Sequence, residues 1–320
     1  MGVAMPVLTP DEIDFSLYER ETDAQRKVRP AREWVQDLID RIGQEAREKR
    51  ITMPWPKTHN LVQFRPGEVT LWGGANGNGK SLVTGQVAVS LCAQGEKACV
   101  ASFEMKPLKT LERMARQWSC FNANDPAFRG VDEATKELRE VYGQFRDWTD
   151  SRLWLYDQQG TVTASQVCAV ARYCAKELGI TQVFIDSLMK CVAGEDDYNG
   201  QKAFVDELCA IARDHAIHVH LVHHIKKPAN EAYVPNKYDY KGSGAIVDQA
   251  DNVITVWRNK EKEKKRAAGA SVNEADPDTR LICDKQRNGE WEGTIGLWYE
   301  PNSQQFVAHD GEEPTSYYRA

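Results

Sequence analysis

From residue 67 onward, short apolar runs alternate with longer stretches in which apolar residues recur every three or four positions. The runs at 69–72, 98–103, 153–156, 182–185 and 218–222 predict strands, and the periodic stretches at 82–94, 108–118, 164–178 and 203–216 predict helices. Pro107 stands just ahead of the second helix, where its fixed φ suits a helix start. Strands that are apolar throughout, instead of alternating, imply an α/β fold with a mainly parallel central sheet and helices on both faces. Three further runs (252–258, 279–284 and 294–299) follow without helices between them and predict an antiparallel C-terminal extension. The polar stretch 259–278 between the first two is too charged for a core connection and reads as a flexible hairpin tip.

Upstream, residues 1–29 are polar without a clear period and read as a mobile arm. Over 30–49, Trp34, Val35, Leu38, Ile39, Ile42 and Ala46 fall on one helical face, and Pro54 and Pro56 end the pattern. That stripe must cover something, either its own domain or a neighbouring subunit. The expected organisation is an arm and linker helix over 1–60, one core over 61–310 and a tail over 311–320.

Composition narrows the class. At 320 residues, 41% hydrophobic and 28% charged, the chain suits a soluble globular protein with a substantial core. No stretch approaches ~18 uncharged apolar residues and the N-terminus is polar, so neither a membrane span nor a signal peptide is expected. Eight cysteines form no C-x-x-C pair and sit mostly in apolar segments, which points to reduced thiols in a cytosol. A net charge of −6 argues against a surface coated in basic residues and leaves room for a local basic channel.

The chemistry centres on GEVTLWGGANGNGKS, residues 67–81. Gly74, Gly79, Lys80 and Ser81 fit G-x-x-x-x-G-K-[ST], the phosphate-binding loop. Its glycines, with Asn76, Gly77 and Asn78 among them, let backbone N–H groups curl around a phosphate. Lys80 suits the β- and γ-phosphates and Ser81 suits Mg²⁺. The helix opening at Leu82 points its positive end at the anion. An ordinary Gly-rich turn is the plain alternative, and it loses weight because a strand precedes and a helix follows. Asp186 closes an apolar strand where parallel sheets bind ligands, and can hold Mg²⁺ through water. Glu104 closes another and suits the polarisation of a water for attack on the γ-phosphate.

His218, His220, His223 and His224 crowd HVHLVHHIKKP. Nothing nearby offers the usual Cys or short-spaced fourth ligand of a zinc site. His224, at the strand's exit, suits a hydrogen-bond donor to the γ-phosphate, and the other three read as core or edge histidines. Lys226, Lys227, Lys237 and Lys241 then share a loop with Tyr233, Tyr238 and Tyr240, a pattern that suits a nucleic-acid backbone or a merely solvated loop.

In order along the chain, GANGNGKS, SFEMK, VFIDSL, LVHHIKKP, DYKGSGAIVDQADNVITVWRN and DKQRNG make the region from Leu61 to Val307 resemble a known domain. It is similar to the RecA-like ATPase domain, a P-loop NTPase, of hexameric replicative helicases: the DnaB family and its relatives in phage helicase–primases. The resemblance implies ATP and Mg²⁺ on Lys80 and Ser81, Asp186 as the Walker B acid, Glu104 as catalytic base and His224 as γ-phosphate sensor. It implies that Lys285 and Arg287 reach into the neighbour's site and that Arg258 and Tyr299 flank the base. Lys241, Gly242, Ser243 and Gly244 match the loop that grips single-stranded DNA, with Lys226 and Lys227 nearby. Gly242 stands where the DnaB loop has an acid, which fits the phage branch better. Sixty or so residues ahead of the core are too few for a DnaB collar or a primase module, implying a separate primase and loader. The expectation is a cytoplasmic, phage-encoded helicase motor that forms a ring, a hexamer, and moves 5′–3′ on single-stranded DNA. A recombinase-type filament and an ATP-switched helicase accessory stay open as alternatives.

Overall fold

Apolar strands that need cover on both faces organise the molecule, whose computed structural model describes residues 7–8, 31–42, 50–125, 132–194, 196–226, 230, 232–242 and 244–318. The strands are β1 (Val7–Leu8), β2 (Val69–Gly73), β3 (Ala98–Ser102), β4 (Leu153–Tyr156), β5 (Gln182–Asp186), β6 (His218–Val222), β7 (Asn252–Arg258), β8 (Thr279–Gln286), β9 (Gly293–Glu300) and β10 (Gln305–Val307). They form one sheet in the order β1-β4-β3-β5-β6-β2-β7-β8-β9-β10. Pairing is parallel from β1 to β7 and antiparallel from β7 to β10. The helices are α1 (Ala31–Arg41), α2 (Lys80–Ala93), α3 (Pro107–Ser119), α4 (Asp132–Thr149), α5 (Ala164–Glu177), α6 (Tyr198–His215), α7 (Gly244–Gln249) and α8 (Lys260–Ala267).

Alternate residues of each parallel strand feed two apolar layers. Val69, Leu71, Val183, Ile185, Val219 and Leu221 pack on one face with Val170 of α5 and with Phe204 and Leu208 of α6. Trp72, Phe184 and Val222 pack on the other with Leu91 of α2, Met114 and Trp118 of α3, and Phe145 of α4. Strands covered on both sides have no polar face to present, hence their unbroken apolar runs. Packing continues to either side of 61–310. Trp55 is buried and donates from Nε1 to the Phe306 carbonyl at 2.6 Å, and Tyr317 N donates to the Trp118 carbonyl at 2.8 Å.

The structure departs from the sequence expectation in several elements, including the short helix α7 and strand β10, neither of which the sequence pattern predicts. Residues 259–278 do connect the antiparallel strands β7 and β8 as a hairpin, but 260–267 within them are helix instead of a flexible tip. Asn259 accepts from Lys262 N as its cap, and Lys262, 5% exposed, pairs with Asp278 at 3.0 Å and Glu274 at 3.3 Å. Charge that reads as solvated is here an internal ion-pair cluster. Helix α4 is absent from the sequence expectation, although Val141, Phe145 and Trp148 share one face. Strand β1 shows that two residues of the expected arm pair with β4.

α1 carries four residues of its predicted stripe into solvent. Val35, Leu38, Ile39 and Ile42 are between 51% and 79% exposed, so the described part of this chain does not cover them. Residue Ala46 of the same stripe lies outside the described residues. No described helix is long and apolar enough to cross a membrane. All eight cysteines are free thiols, and all but Cys120 are buried.

Candidate nucleotide site and adjoining loop

β2 delivers the chain to the C-terminal edge of the parallel strands, and the glycine-rich loop turns it into α2. Two glycines are demanded by geometry. Gly79 is the α2 N-cap at φ +84°, and a Cβ on Gly73 would meet the buried Tyr240 ring at 2.2 Å. The loop is tied to β7: Asn78 Nδ2 donates to the Val256 carbonyl and an Arg258 NH group to the Gly77 carbonyl, both at 3.2 Å. α2 begins at Lys80, two residues before the expected start, so Lys80 and Ser81 sit on its first turn. No side chain caps that turn, and with Leu82 N and Val83 N donating to the Gly79 carbonyl, its N–H groups ahead of Leu82 are left for an anion.

A cavity of about 330 Å³ opens there and brings Asn76, Gly77, Gly79, Lys80, Ser81 and Leu82 together with Glu104, Asp186, His224 and Arg258. Ser81 Oγ donates to Asp186 Oδ2 at 2.6 Å, a hydroxyl and a carboxylate converging as ligands of a hard cation do. Burial pushes the Asp186 carboxyl above its ordinary range, with the Ser81 hydrogen bond opposing. Lys80 Nζ donates to the Gly74 and Ala75 carbonyls at 2.9 and 3.1 Å. Burial lowers its pKa, countered by the Asp186 and Glu104 charges. A buried cation beside a buried acid and hydroxyl fits a metal-bound polyphosphate, which supplies the missing charge on each side.

His224 joins the two catalytic candidates. Its Nδ1 stands 3.4 Å from Lys80 Nζ, and an ammonium can only donate, so in the neutral ring the proton sits on Nε2. That nitrogen faces Glu104 Oε1 at 3.7 Å. His224 thereby holds the Glu104 carboxyl below its ordinary range, against desolvation and with help from Lys190 and from Ser187, whose hydroxyl is 3.4 Å away. Glu104 is kept ionised, the form a general base needs.

Sequence reasoning missed Arg113, which reaches the same cavity from α3. It belongs to no motif and lies a helix turn and more beyond SFEMK, so only the packing of α3 on α2 reveals it. A second cavity of about 220 Å³ joins Asn78, Gly79 and Leu82 to Arg258 and Tyr299, the two residues expected to flank a base. Glu263 and Arg266 of α8 form its outer wall, and Glu263 pairs with Arg258. The two cavities share Gly79, Leu82 and Arg258.

Lys285 and Arg287 do not enter this site. β8 runs antiparallel to β7, so they lie beside the start of β7 and β2, at the edge of the sheet opposite the phosphate loop. Lys285 Nζ donates to the Val247, Asp248 and Ala250 carbonyls, and Arg287 pairs with Asp251 at 3.2 Å. The other three histidines are buried: His218 bonds Thr70 and the Arg65 carbonyl, His220 bonds Trp72 and Gln182, and His223 donates to the Lys241 carbonyl. They are core histidines.

The loop after β6 folds back on His224. Ile225 and Tyr240 form an antiparallel bridge, Lys226 N donates to the Asp239 carbonyl at 2.7 Å, and Lys241 N donates to the His224 carbonyl at 3.1 Å. Lys226 is exposed, Lys241 and Gly242 are half-buried, and Gly244 opens α7. Lys227 and Ser243 lie outside the described residues.

The family model of the DnaB-like helicase C-terminal domain matches residues 59–308. The replicative DNA helicase DnaB of Treponema pallidum (strain Nichols) is 25% identical over 248 residues, covering 76% of this chain and 52% of that protein. The DNA helicase/primase of Enterobacteria phage T3 is 24% identical over 211 residues, 62% of this chain and 36% of that protein. The chain thus spans about half the length of the first relative and about a third of the second. Among solved structures, an ATPase domain superposes with a TM-score of 0.72 at 18% identity, the match covering 89% of this chain and 99% of that one. A DnaB-like replicative helicase, solved in a study of its interactions with primase, gives 0.68 at 17% identity, covering 86% and 66%.

Proposed function

The chain belongs to the DnaB-like helicase C-terminal domain family, and we propose that it is an ATP-hydrolysing replicative helicase motor that closes into a ring, a hexamer, around single-stranded DNA. One observation carries the reading. The His224 ring faces Lys80 and Glu104, while the His224 carbonyl accepts from Lys241 at the root of the candidate DNA loop. A phosphate sensor and a DNA-contacting segment are thus one hydrogen-bonded unit.

The roles divide accordingly. Lys80 and the first-turn N–H groups of α2 hold the β- and γ-phosphates, and Ser81 and Asp186 hold Mg²⁺. The metal, when bound, neutralises charge that develops between the β- and γ-phosphates. Glu104 takes the proton of the attacking water, and Ser187 and His224 keep it aimed and ionised. Arg258 and Tyr299 sandwich the base. Lys226, Lys227, Lys241 and the glycines around Ser243 hold DNA phosphates. Lys285 and Arg287, remote from their own chain's site, act on the nucleotide of an adjacent copy, and the apolar stripe of α1, within the arm of 1–60, docks on that copy. A primase is a partner, as for the DnaB-like neighbour, in the cytoplasm of a phage-infected cell.

The test is unwinding of a forked duplex with ATP and Mg²⁺, together with electron microscopy in an ATP analogue. Closed rings and strand separation are expected. Open filaments that pair strands instead of separating them would overturn the helicase reading.

A further inference from the structure

Between Lys226 and Lys241 the chain presents Tyr238 at 80% exposure, the most exposed large apolar side chain among the described residues. Such a ring is either incidental or awaits a partner, and its surroundings favour a partner. Its backbone is fixed in advance. Asn236 Oδ1 accepts from Tyr238 N at 2.9 Å, and the Asp239 carboxylate accepts from Asn236 N at 2.8 Å and from the Tyr233 hydroxyl at 2.9 Å. Asp239 is in turn held through its carbonyl by Lys226 N. Incidental surface aromatics need no such scaffold.

Three ammonium groups lie along the segment, with the Asp239 carboxylate turned inward to the scaffold and Lys237 Nζ also donating to the Asp284 carbonyl at 3.3 Å. Lys237 Nζ lies 5.9 Å from the ring centroid on one side, and Lys226 and Lys241 flank the segment at the two ends of the backbone pairing. A ring with an open face, set among ammonium groups spaced along one loop, matches a strand that is a chain of phosphates carrying flat bases. Two residues on, Tyr240 is buried against Gly73 of the phosphate loop, so the presenting turn is anchored to the nucleotide site itself.

We propose that Tyr238 is a stacking platform for a nucleobase of the single strand whose phosphates Lys226 and Lys241 hold. The inference rests on the DNA-binding reading of this loop and adds a base contact to it. Backbone contacts are blind to the bases, whereas every base has a π-face, so Tyr238 supplies affinity that needs a base but does not select one. The rigid 237–239 turn keeps the ordering cost of that contact small.

Binding of the assembled full chain, in Mg²⁺ and a non-hydrolysable ATP analogue, is measured for an oligo-dT and for an abasic sugar-phosphate oligomer of equal length. The wild type should prefer oligo-dT. Tyr238→Ala should lose about tenfold on oligo-dT and nothing on the abasic strand, and Tyr238→Phe should behave as wild type. Equal losses of Tyr238→Ala on both strands, or no loss on either, would overturn the platform. Failure of Tyr238→Ala to assemble while Tyr238→Phe assembles would assign the ring to contact with a second copy instead. If the wild type bound neither strand, the DNA reading of the loop would fail first, and the platform with it.

Discussion

In the proposed function, single side chains separate holding the nucleotide from cleaving it. Lys80→Ala leaves Asp186 and Glu104 facing the cavity without their buried cation, and nucleotide binding should be lost in titration calorimetry. Glu104→Gln keeps the shape and removes the base, so ATP should bind with nearly normal affinity while turnover falls by about 10²–10⁴. Equal loss of affinity in both variants would refute this division of labour. The core histidines set a pH dependence. Burial lowers His218 and His223 to about 4 from 6.5, and lowers His220 well below its ordinary value. The unfolded chain therefore binds more protons between pH 6.5 and 4, and stability present above 6.5 is lost as pH falls through that window. At pH 5 the loss is about 2 kcal/mol for each of His218 and His223. Urea denaturation of wild type and of His223→Gln at pH 7 and 5 should show a smaller drop for the variant, since Gln can still donate to the Lys241 carbonyl.

Among the elements, α8 and the β6 loop carry what the motifs do not. Glu263 pairs with Arg258, which also grips the Gly77 carbonyl, so α8 holds in place the residue proposed to flank the base. Glu263→Gln should raise the KM for ATP severalfold with kcat little changed in steady-state assays, and the reverse pattern would give α8 some other task. The Gly73–Tyr240 contact makes a second case. Gly73→Ala drives a methyl into the Tyr240 ring and should cost about 1–3 kcal/mol, read by chemical denaturation. Tyr240→Ala should relieve that cost in the double variant, because it removes the atoms the methyl meets. Additive losses would show that strain at Gly73 lies elsewhere.

Taking the molecule as a whole, the positions of Lys285 and Arg287 decide what a ring must do. Antiparallel β8 puts them at the opposite edge of the sheet from their own phosphate loop, so any contact with a γ-phosphate is made on another copy. Arg287→Ala should bind ATP and assemble, yet hydrolyse about a thousandfold or more slowly. Mixed with Lys80→Ala subunits, it should regain part of its ATPase activity at interfaces where an intact Lys80 faces an intact Arg287. An assembled Arg287→Ala protein with wild-type turnover would leave Arg287 as the local partner of Asp251.

Local pattern along the chain is enough to specify the doubly covered parallel sheet, because strands buried on both faces must be apolar along their length. β4, β6 and β7 accordingly keep their predicted limits. The same pattern singles out Lys80, Ser81, Asp186, Glu104 and His224, since each closes a strand or opens a helix at the one edge where a parallel sheet gathers its loops. Other features depend on contacts made in three dimensions. The charged stretch 259–278 contains a helix with local signals, the Asn259 cap and the Glu261–Lys265 pair, but Asp278 and Glu274 fix it through Lys262, a pairing no local pattern encodes. Arg113 enters the cavity through the packing of α3 on α2, and α1 keeps its apolar face open because nothing described in this chain lies against it. Periodicity reports which face of an element is buried, whereas the partner across that face is fixed by residues far away in the chain.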